Sequence, residues 1–437
     1  MRALPKNCVF ALVLSAISCA AETVVLRNFT LIDGTGKAAV PDAALVITDG
    51  KIQYAGPASG IKAPAGAMNT DLKGRYVMPG IINLHGHVGN VLGLVQDPKN
   101  YTRANAENNL KTYASYGVTS VVSMGTDADV AFQIRSEQRA GRPTYTRIYT
   151  AGKGFTGKSG YPTSAPGMKG VPFEVENATD VKKAVAWLKD KKVDLVKIWV
   201  DDHFGKDTKI PMNLSRTIIE ESHKNGLRVA AHIFYLEDAK GLVEGGLDAL
   251  AHSIRDKPVD DATIAAMKRK GSWQIAATFT REMSAFAFAT PPVWLDDPFF
   301  KRSVTPDVIK TLKSPGQKAV PADARFQSAL DVAKKNLKRL VDAGVKCGFG
   351  TDTGPPGRFP GYFEHVEMQY MAEAGLTPAQ IIQMATKNSA EFLAAKDLGT
   401  LEAGKWADLI VLVRNPLEDI RNTRSIESVM IAGRKVN

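Results

Sequence analysis

Eight short apolar runs, spread through the middle of the chain and separated by helical periodicities, constrain the fold more than any other feature. They lie at 81–84, 118–123, 147–151, 195–200, 228–234, 249–253, 274–279 and 346–350. A few consecutive apolar residues suit a strand buried on both faces, as in a parallel sheet. Between the runs, stretches such as 103–116, 180–189, 215–225, 237–245, 260–269 and 324–343 carry their apolar residues at helical spacing. Strands alternating with helices make βαβ units, and eight of them predict an α/β fold closed as a (β/α)8, TIM-like barrel. In such a barrel the reactive side chains gather at the carboxyl ends of the strands. A later helix is announced by Thr377-Pro378-Ala379-Gln380, a capping box with proline in its first turn.

The two ends of the chain read differently. Residues 23–77 and 405–437 break into short β segments, with Asp49-Gly50 and Ala432-Gly433 as turns. They predict one small β-sandwich built from both termini, over 21–78 and 398–437, beside a barrel at 79–397. Residues 1–20 place Arg2 and Lys6 ahead of an apolar run and end in Ser18-Cys19-Ala20, the pattern of a cleaved secretory signal. The chain is therefore expected to be exported, periplasmic or secreted. Lipid anchoring through Cys19 is the weaker reading, because Ala16 stands where a larger aliphatic residue is usual. An aromatic- and proline-rich excursion at 281–323 follows the seventh strand. It predicts a lid or substrate wall on the catalytic face, or else a satellite apolar cluster.

Composition narrows the function classes. Lys plus Arg number 56 against 45 Asp plus Glu, a net +11, but the charges are dispersed. That suits a solvated surface rather than a nucleic-acid footprint. Past the N-terminus no apolar stretch reaches the ~18 residues of a membrane span. The three cysteines, Cys8, Cys19 and Cys347, have no paired spacing, so neither a disulfide framework nor a thiolate zinc site is indicated. Cys347 lies in an apolar run and reads as a small core residue. A small-molecule substrate is the expected partner, and homo-oligomerisation is left open.

The chemistry sits in four of the seven histidines and in two other side chains. His85 and His87 end the first strand, in Ile81-Ile82-Asn83-Leu84-His85-Gly86-His87, and alternation along a strand turns both to one face. His232 lies in the fifth strand and His252 in the sixth. One histidine in an apolar run is usually a satisfied core residue, but four at one end of a barrel make a metal site. Lys197 interrupts the fourth strand, where an ammonium is costly unless paired or chemically changed. Asp352 ends the eighth strand, placed as a metal ligand and general base.

His85, His87, Lys197, His232, His252 and Asp352, in that order on strands one, four, five, six and eight, resemble the amidohydrolase superfamily. The lead-in Val77-Met78-Pro79-Gly80-Ile81-Ile82 and the tail Gly399-Thr400-Leu401-Glu402-Ala403-Gly404-Lys405-Trp406-Ala407-Asp408-Leu409 are similar to the same family. The likeness spans nearly the whole mature chain and is nearest to the imidazolonepropionase-like and prolidase-like branch. The resemblance implies two divalent ions, zinc being expected, roughly 3.5–4 Å apart. His85, His87 and Asp352 would hold the more buried ion, His232 and His252 the second, and Lys197, carbamylated by CO2, would bridge them. A shared hydroxide would attack the polarised carbonyl, with Asp352 moving its proton to the leaving nitrogen. The implied reaction is hydrolysis of a C–N amide bond in a dipeptide, an N-acyl amino acid or a cyclic amide. Lactone or phosphoester hydrolysis would use the same site.

Two departures stand out. Asn83 occupies a position where the family often has Asp, and Phe234 one where prolidase-like members often have Tyr. Phe cannot donate a hydrogen bond, which counts against Xaa-Pro dipeptidase activity. The neighbouring Tyr235 would face the other way on the strand. His203, Tyr235, Arg255, Arg281 and His365 are the candidate substrate contacts, the arginines as carboxylate clamps. His223 reads as structural. A rival from another class is a nucleotide-binding ATPase, because residues 152–159 fit the phosphate-loop pattern GxxxxGK[ST]. The Gly-Tyr-Pro sequence that follows forbids the helix this pattern requires. An inactive interaction scaffold is opposed by the complete ligand set.

Overall fold

The computed structural model describes residues 22–276, 278–288, 290–314 and 324–436. The expected signal at 1–20, with Cys8 and Cys19, lies outside the described residues.

Each of the eight apolar runs contains a strand: Ile81–Gly86, Val118–Ser123, Arg147–Thr150, Val196–Val200, Val229–Ile233, Ala249–Leu250, Trp273–Ala276 and Cys347–Phe349. All their ladder partners are parallel. The first three pair with one another, and the fourth to eighth form a second run. Backbone hydrogen bonds close the ring. Asp352 N donates to His85 O at 2.7 Å and His87 N to Thr353 O at 2.7 Å, while Asp194 N reaches Thr150 O at 2.9 Å. The result is the (β/α)8 barrel that eight alternating units predict.

The barrel is packed solid below its mouth. Ile82, Leu84, Val122, Leu195, Ala230, Ala249, Trp273 and Ile275 form one apolar layer. On the eighth strand Gly348 leaves room for it, since a Cβ there would meet Leu84 Cδ1 at 2.6 Å. Period-two alternation then sets Lys197 above Leu195 and His232 above Ala230. On the first strand the register shifts between Asn83 and Gly86, so the alternation that buries Ile82 and Leu84 does not carry His85 to the opposite side. A larger apolar cluster joins the outer strand faces to the helices.

Both ends of the chain enter one eight-stranded sheet. Tyr76–Pro79 pairs with Leu409–Leu412, and the sheet forks at Thr23–Leu31, which takes Met68–Asp71 and Tyr76–Pro79 on one side and Val40–Thr48 on the other. Its core includes Leu26, Phe29, Leu45, Ile52, Leu409 and Val411. A bidentate ion pair ties it to the barrel, with Arg147 Nε 2.9 Å and Nη2 3.1 Å from the Asp408 carboxylate.

The described part of the excursion after the seventh strand packs as a satellite apolar cluster. It opens with the helix Phe279–Ala287 and continues through Val293–Asp296, Phe300–Arg302 and the helix Pro306–Lys313. Met283, Leu295 and Phe300 pack with Tyr116, Phe359, Tyr362 and Phe363 as a satellite apolar cluster. Residue 315 and its neighbours to 323 lie outside the described residues. The 152–159 stretch is likewise no phosphate loop. Residues after Ser159 run through successive turns, and Lys158 pairs with Glu176 at 3.0 Å. Among the described residues no helix is long and apolar enough to cross a membrane.

Candidate metal centre

The strand ends bring the expected donors together. One ligand atom each from His85, His252 and Asp352 lies within 4.8 Å of the other two, and all three residues are buried. His87 Nε2 is 2.9 Å from Asp352 Oδ1, and His85 Nε2 is 3.4 Å from the same oxygen. Lys197 Nζ is 3.4 Å from His85 Nε2. The His252 ring lies between the other two walls, its centroid 4.7 Å from that of His85 and 4.4 Å from that of His232. The six expected ligands thus face one space at the carboxyl end of the barrel.

Backbone and neighbouring groups orient these donors. Asp352 has φ of +58°, a left-handed conformation that turns the chain out of the eighth strand. Gly354 follows at φ +118°, where a Cβ would lie 2.2 Å from His87 O, so the loop passes His87 only with glycine there. His85 Nδ1 donates to the Ala251 carbonyl at 2.9 Å, which leaves the Nε2 lone pair toward the cluster. His87 Nδ1 is 3.1 Å from Thr126 Oγ1. His232 Nε2 is 2.7 Å from Asp201 Oδ2. These are the carbonyl, hydroxyl and carboxylate partners that fix ring orientation in histidine metal sites.

The electrostatics suit cations. Burial holds His85, His232 and His252 well below the ordinary imidazole range, and His87 below it, so all four are neutral donors near pH 7. Burial alone would raise Asp352, but Arg358 and the two strand-one histidines outweigh it and keep the carboxylate ionised. Asp201 also stays anionic, because its bond to His232 overcomes burial. Burial pulls the Lys197 amine down to about 7, opposed by Asp352 and assisted by Arg281. Four neutral imidazoles, one carboxylate and an amine able to lose its proton fit divalent cations of the zinc type.

The candidate substrate contacts divide. Tyr161, in the loop after the third strand, lines the cavity and stacks between His203 at 3.9 Å and His232 at 5.3 Å between centroids. His203 is thus at the mouth, with Nδ1 3.1 Å from Asp207. Arg281 reaches Asp352 Oδ2 at 3.4 Å and also pairs with Glu282. Three expectations are corrected. Arg255 is fully buried, 2.9 Å from Glu282 and bonded to the Ile233 and Ser253 carbonyls, so it cannot clamp a substrate carboxylate. Tyr235 turns away from His232 and donates to Asp202 at 2.8 Å. His365 is spent on Thr423 Oγ1 at 2.8 Å and the Tyr116 carbonyl at 2.9 Å, away from the cluster.

Sequence reasoning passed over Asp201, Arg358 and Glu282. The acidic pair directly after the fourth strand was a usable signal for Asp201, since it lies at a strand's carboxyl end. Arg358 pairs with Asp352 through Nη1 from the loop after the eighth strand, and Glu282 lies one residue beyond Arg281. Neither sits in a periodic pattern.

The profile of the amidohydrolase family matches residues 76–436. Ochratoxinase from Aspergillus niger is 25% identical over 92% of this chain and 83% of its own length. Its crystal structure superposes with a TM-score of 0.73 at 21% identity, covering 95% of each chain. Imidazolonepropionase from Deinococcus radiodurans is 24% identical over 90% of this chain and 92% of its own. The structure of a Xaa-Pro dipeptidase with bound methionine gives a TM-score of 0.74 at 22% identity, over 95% of this chain and 99% of that one.

Proposed function

Because this chain belongs to the amidohydrolase family, we propose that its cluster is a binuclear metal centre that hydrolyses a C–N amide bond. The substrate type is a dipeptide, an N-acyl amino acid or a cyclic amide. The observation that carries this reading is the convergence of His85, His252 and Asp352 within 4.8 Å, with Lys197 Nζ 3.4 Å from His85 Nε2.

His85, His87 and Asp352 would hold one ion, His232 and His252 the other, with Lys197 between them as its carbamate. A lysine pulled down to about 7 carries enough free amine at neutral pH to add CO2, which exchanges a costly buried ammonium for an anion. When bound, the ions, zinc in this reading, would lower the pKa of water and polarise the scissile carbonyl. Asp352, already ionised, accepts the proton of the attacking water and delivers it to the leaving nitrogen. The N-terminal pattern of Arg2, Lys6 and the apolar run before Ser18-Cys19-Ala20 supports export of the enzyme.

Three measurements test this. Metal analysis of the purified protein is expected to give two equivalents of divalent ion. Asp352→Asn should abolish turnover across a dipeptide and N-acyl amino acid panel while leaving the circular dichroism spectrum unchanged. Retained turnover would overturn the proton-transfer role. Lys197→Ala should lose activity that short carboxylic acids restore, and failure of that rescue would remove the carbamate.

A further inference from the structure

The cavity over the cluster is one-sided in its chemistry. It encloses about 500 Å3, and Leu94, Val95, Pro162, Pro166, Met168 and Trp199 form much of its wall. Among the described residues that line it, Asp352 is the one carboxylate and Arg358 the one guanidinium or ammonium group.

Arg358 differs from the other two arginines nearby. Its side chain keeps 20% exposure, against 8% for Arg281 and none for Arg255, which share Glu282. Both of its hydrogen bonds run from Nη1, to the Asp352 carboxylate and to the Asp352 carbonyl. Nε and Nη2 are left without a protein partner among the described residues. The loop is held in place by Gly354 N to Arg358 O at 2.9 Å and Arg358 N to Pro355 O at 3.0 Å. Behind it Phe359 packs edge-on against Phe300 at 4.9 Å between centroids. A guanidinium fixed in this way offers its remaining fork to a planar anion.

We infer that Arg358 receives a carboxylate of the substrate, and that the substrate is an N-blocked amide with a bulky apolar acyl group. This rests on the C–N hydrolase reading above. The apolar wall takes the acyl group and Arg358 the acid. For a free α-ammonium the one carboxylate among the described lining residues is Asp352, which is committed to His87, Arg358 and the chemistry. With neutral acceptors alone, such as Asn90 and Thr126, an ammonium recovers less than its desolvation cost. Dipeptides with a free amino terminus are therefore the poorer class.

The test uses the full-length, metal-loaded enzyme with three amides: N-(4-phenylbutanoyl)-L-leucine, its C-terminal carboxamide, and the dipeptide phenylalanyl-leucine. The wild type should favour the acid over the carboxamide by about tenfold or more in kcat/KM, the usual range for a charged hydrogen bond. It should favour the acid over the dipeptide as well. Arg358→Met should collapse the acid-over-carboxamide ratio toward one, whatever happens to either rate alone, and Arg358→Lys should keep part of it. No acid preference in the wild type, a preference that survives Arg358→Met, or a dipeptide cleaved as fast as the acid would overturn the inference. If none of the amides is cleaved, the dipeptide and N-acyl amino acid readings of the hydrolase fall. Calorimetric affinities then decide the Arg358 assignment: tighter binding of the acid that Arg358→Met abolishes supports it, and equal or absent binding overturns it.

Discussion

Asn83 spends its whole amide. Its Nδ2 donates to Glu364 Oε1 at 2.6 Å and Thr351 Oγ1 at 2.9 Å, and its Oδ1 accepts the His85 N–H at 2.8 Å. Glu364 also accepts the hydroxyls of Thr351 and Thr353 and the Gly361 N–H. A carboxylate at 83 would face Glu364 across that gap, and one of the two would have to take a proton. Asn83→Asp is therefore expected to cost about 1–3 kcal/mol in urea unfolding, the range for a buried group that loses its hydrogen-bond partner. Adding Glu364→Gln should recover much of it, because the amide donor then sits on the other side; a double variant no more stable than Asn83→Asp would dismiss the pairing. The oddity of Asn83 was legible in the sequence, but its reason was not, since Glu364 lies 281 residues away. Asp201 makes a second case. By fixing the proton on His232 Nε2 it leaves Nδ1 as the free lone pair of that ring. Asp201→Ala should weaken zinc binding about 10–100-fold in chelator competition, as loss of such partners does elsewhere. Asp201→Asn, which keeps an acceptor oxygen, should lose less; equal losses would mean that the negative charge, and not the acceptor oxygen, is what the ring needs.

At the scale of elements, the loops do what the strands cannot. The eight runs and the Thr377 capping box were legible because each is written in local spacing, and the box forms with Gln380 N 3.3 Å from Thr377 Oγ1. What the 281–323 excursion packs against was not legible, because aromatic residues in a loop carry no period. In the structure Trp294, Phe300 and Phe359 stack on one another, with Phe300 fully buried. Phe288 also lies against Gly357, where a Cβ would meet its ring at 3.1 Å. The excursion thus buttresses from behind the loop that carries Asp352 and Arg358. Phe300→Ala should destabilise by about 3–5 kcal/mol, the usual cost of removing a buried aromatic side chain. At a temperature where that variant stays folded, its KM for a carboxylate-bearing amide should rise more than its kcat falls. An unchanged KM would separate the cluster from the site.

For the whole molecule, the same burial that readies the histidines for metal makes the fold sensitive to acid. His365 isolates the effect, because it lies outside the cluster and both of its ring nitrogens are bonded. Burial lowers it from 6.5 to about 3, so the folded chain keeps it neutral where the unfolded chain protonates it. Stability from this residue is complete above pH 6.5 and is lost as pH falls from there toward 3. Glu367 acts in the opposite sense. Burial raises it to about 7, although it accepts the N–H groups of Thr278, Phe279 and Thr280. Its contribution grows as pH falls from 7 toward the ordinary range of glutamate, so the total pH profile mixes both signs and cannot identify either group. The difference between wild type and His365→Gln can, because glutamine can still bond Thr423 and the Tyr116 carbonyl but does not titrate. On chelator-treated protein, which removes proton release on metal loading, the stability gap should shift in the variant's favour by about 1.4 kcal/mol per pH unit below 6.5. Parallel curves from pH 7 to pH 4.5 would mean that the imidazole is protonated in the folded chain as readily as in the unfolded one, and that His365 contributes nothing to acid lability.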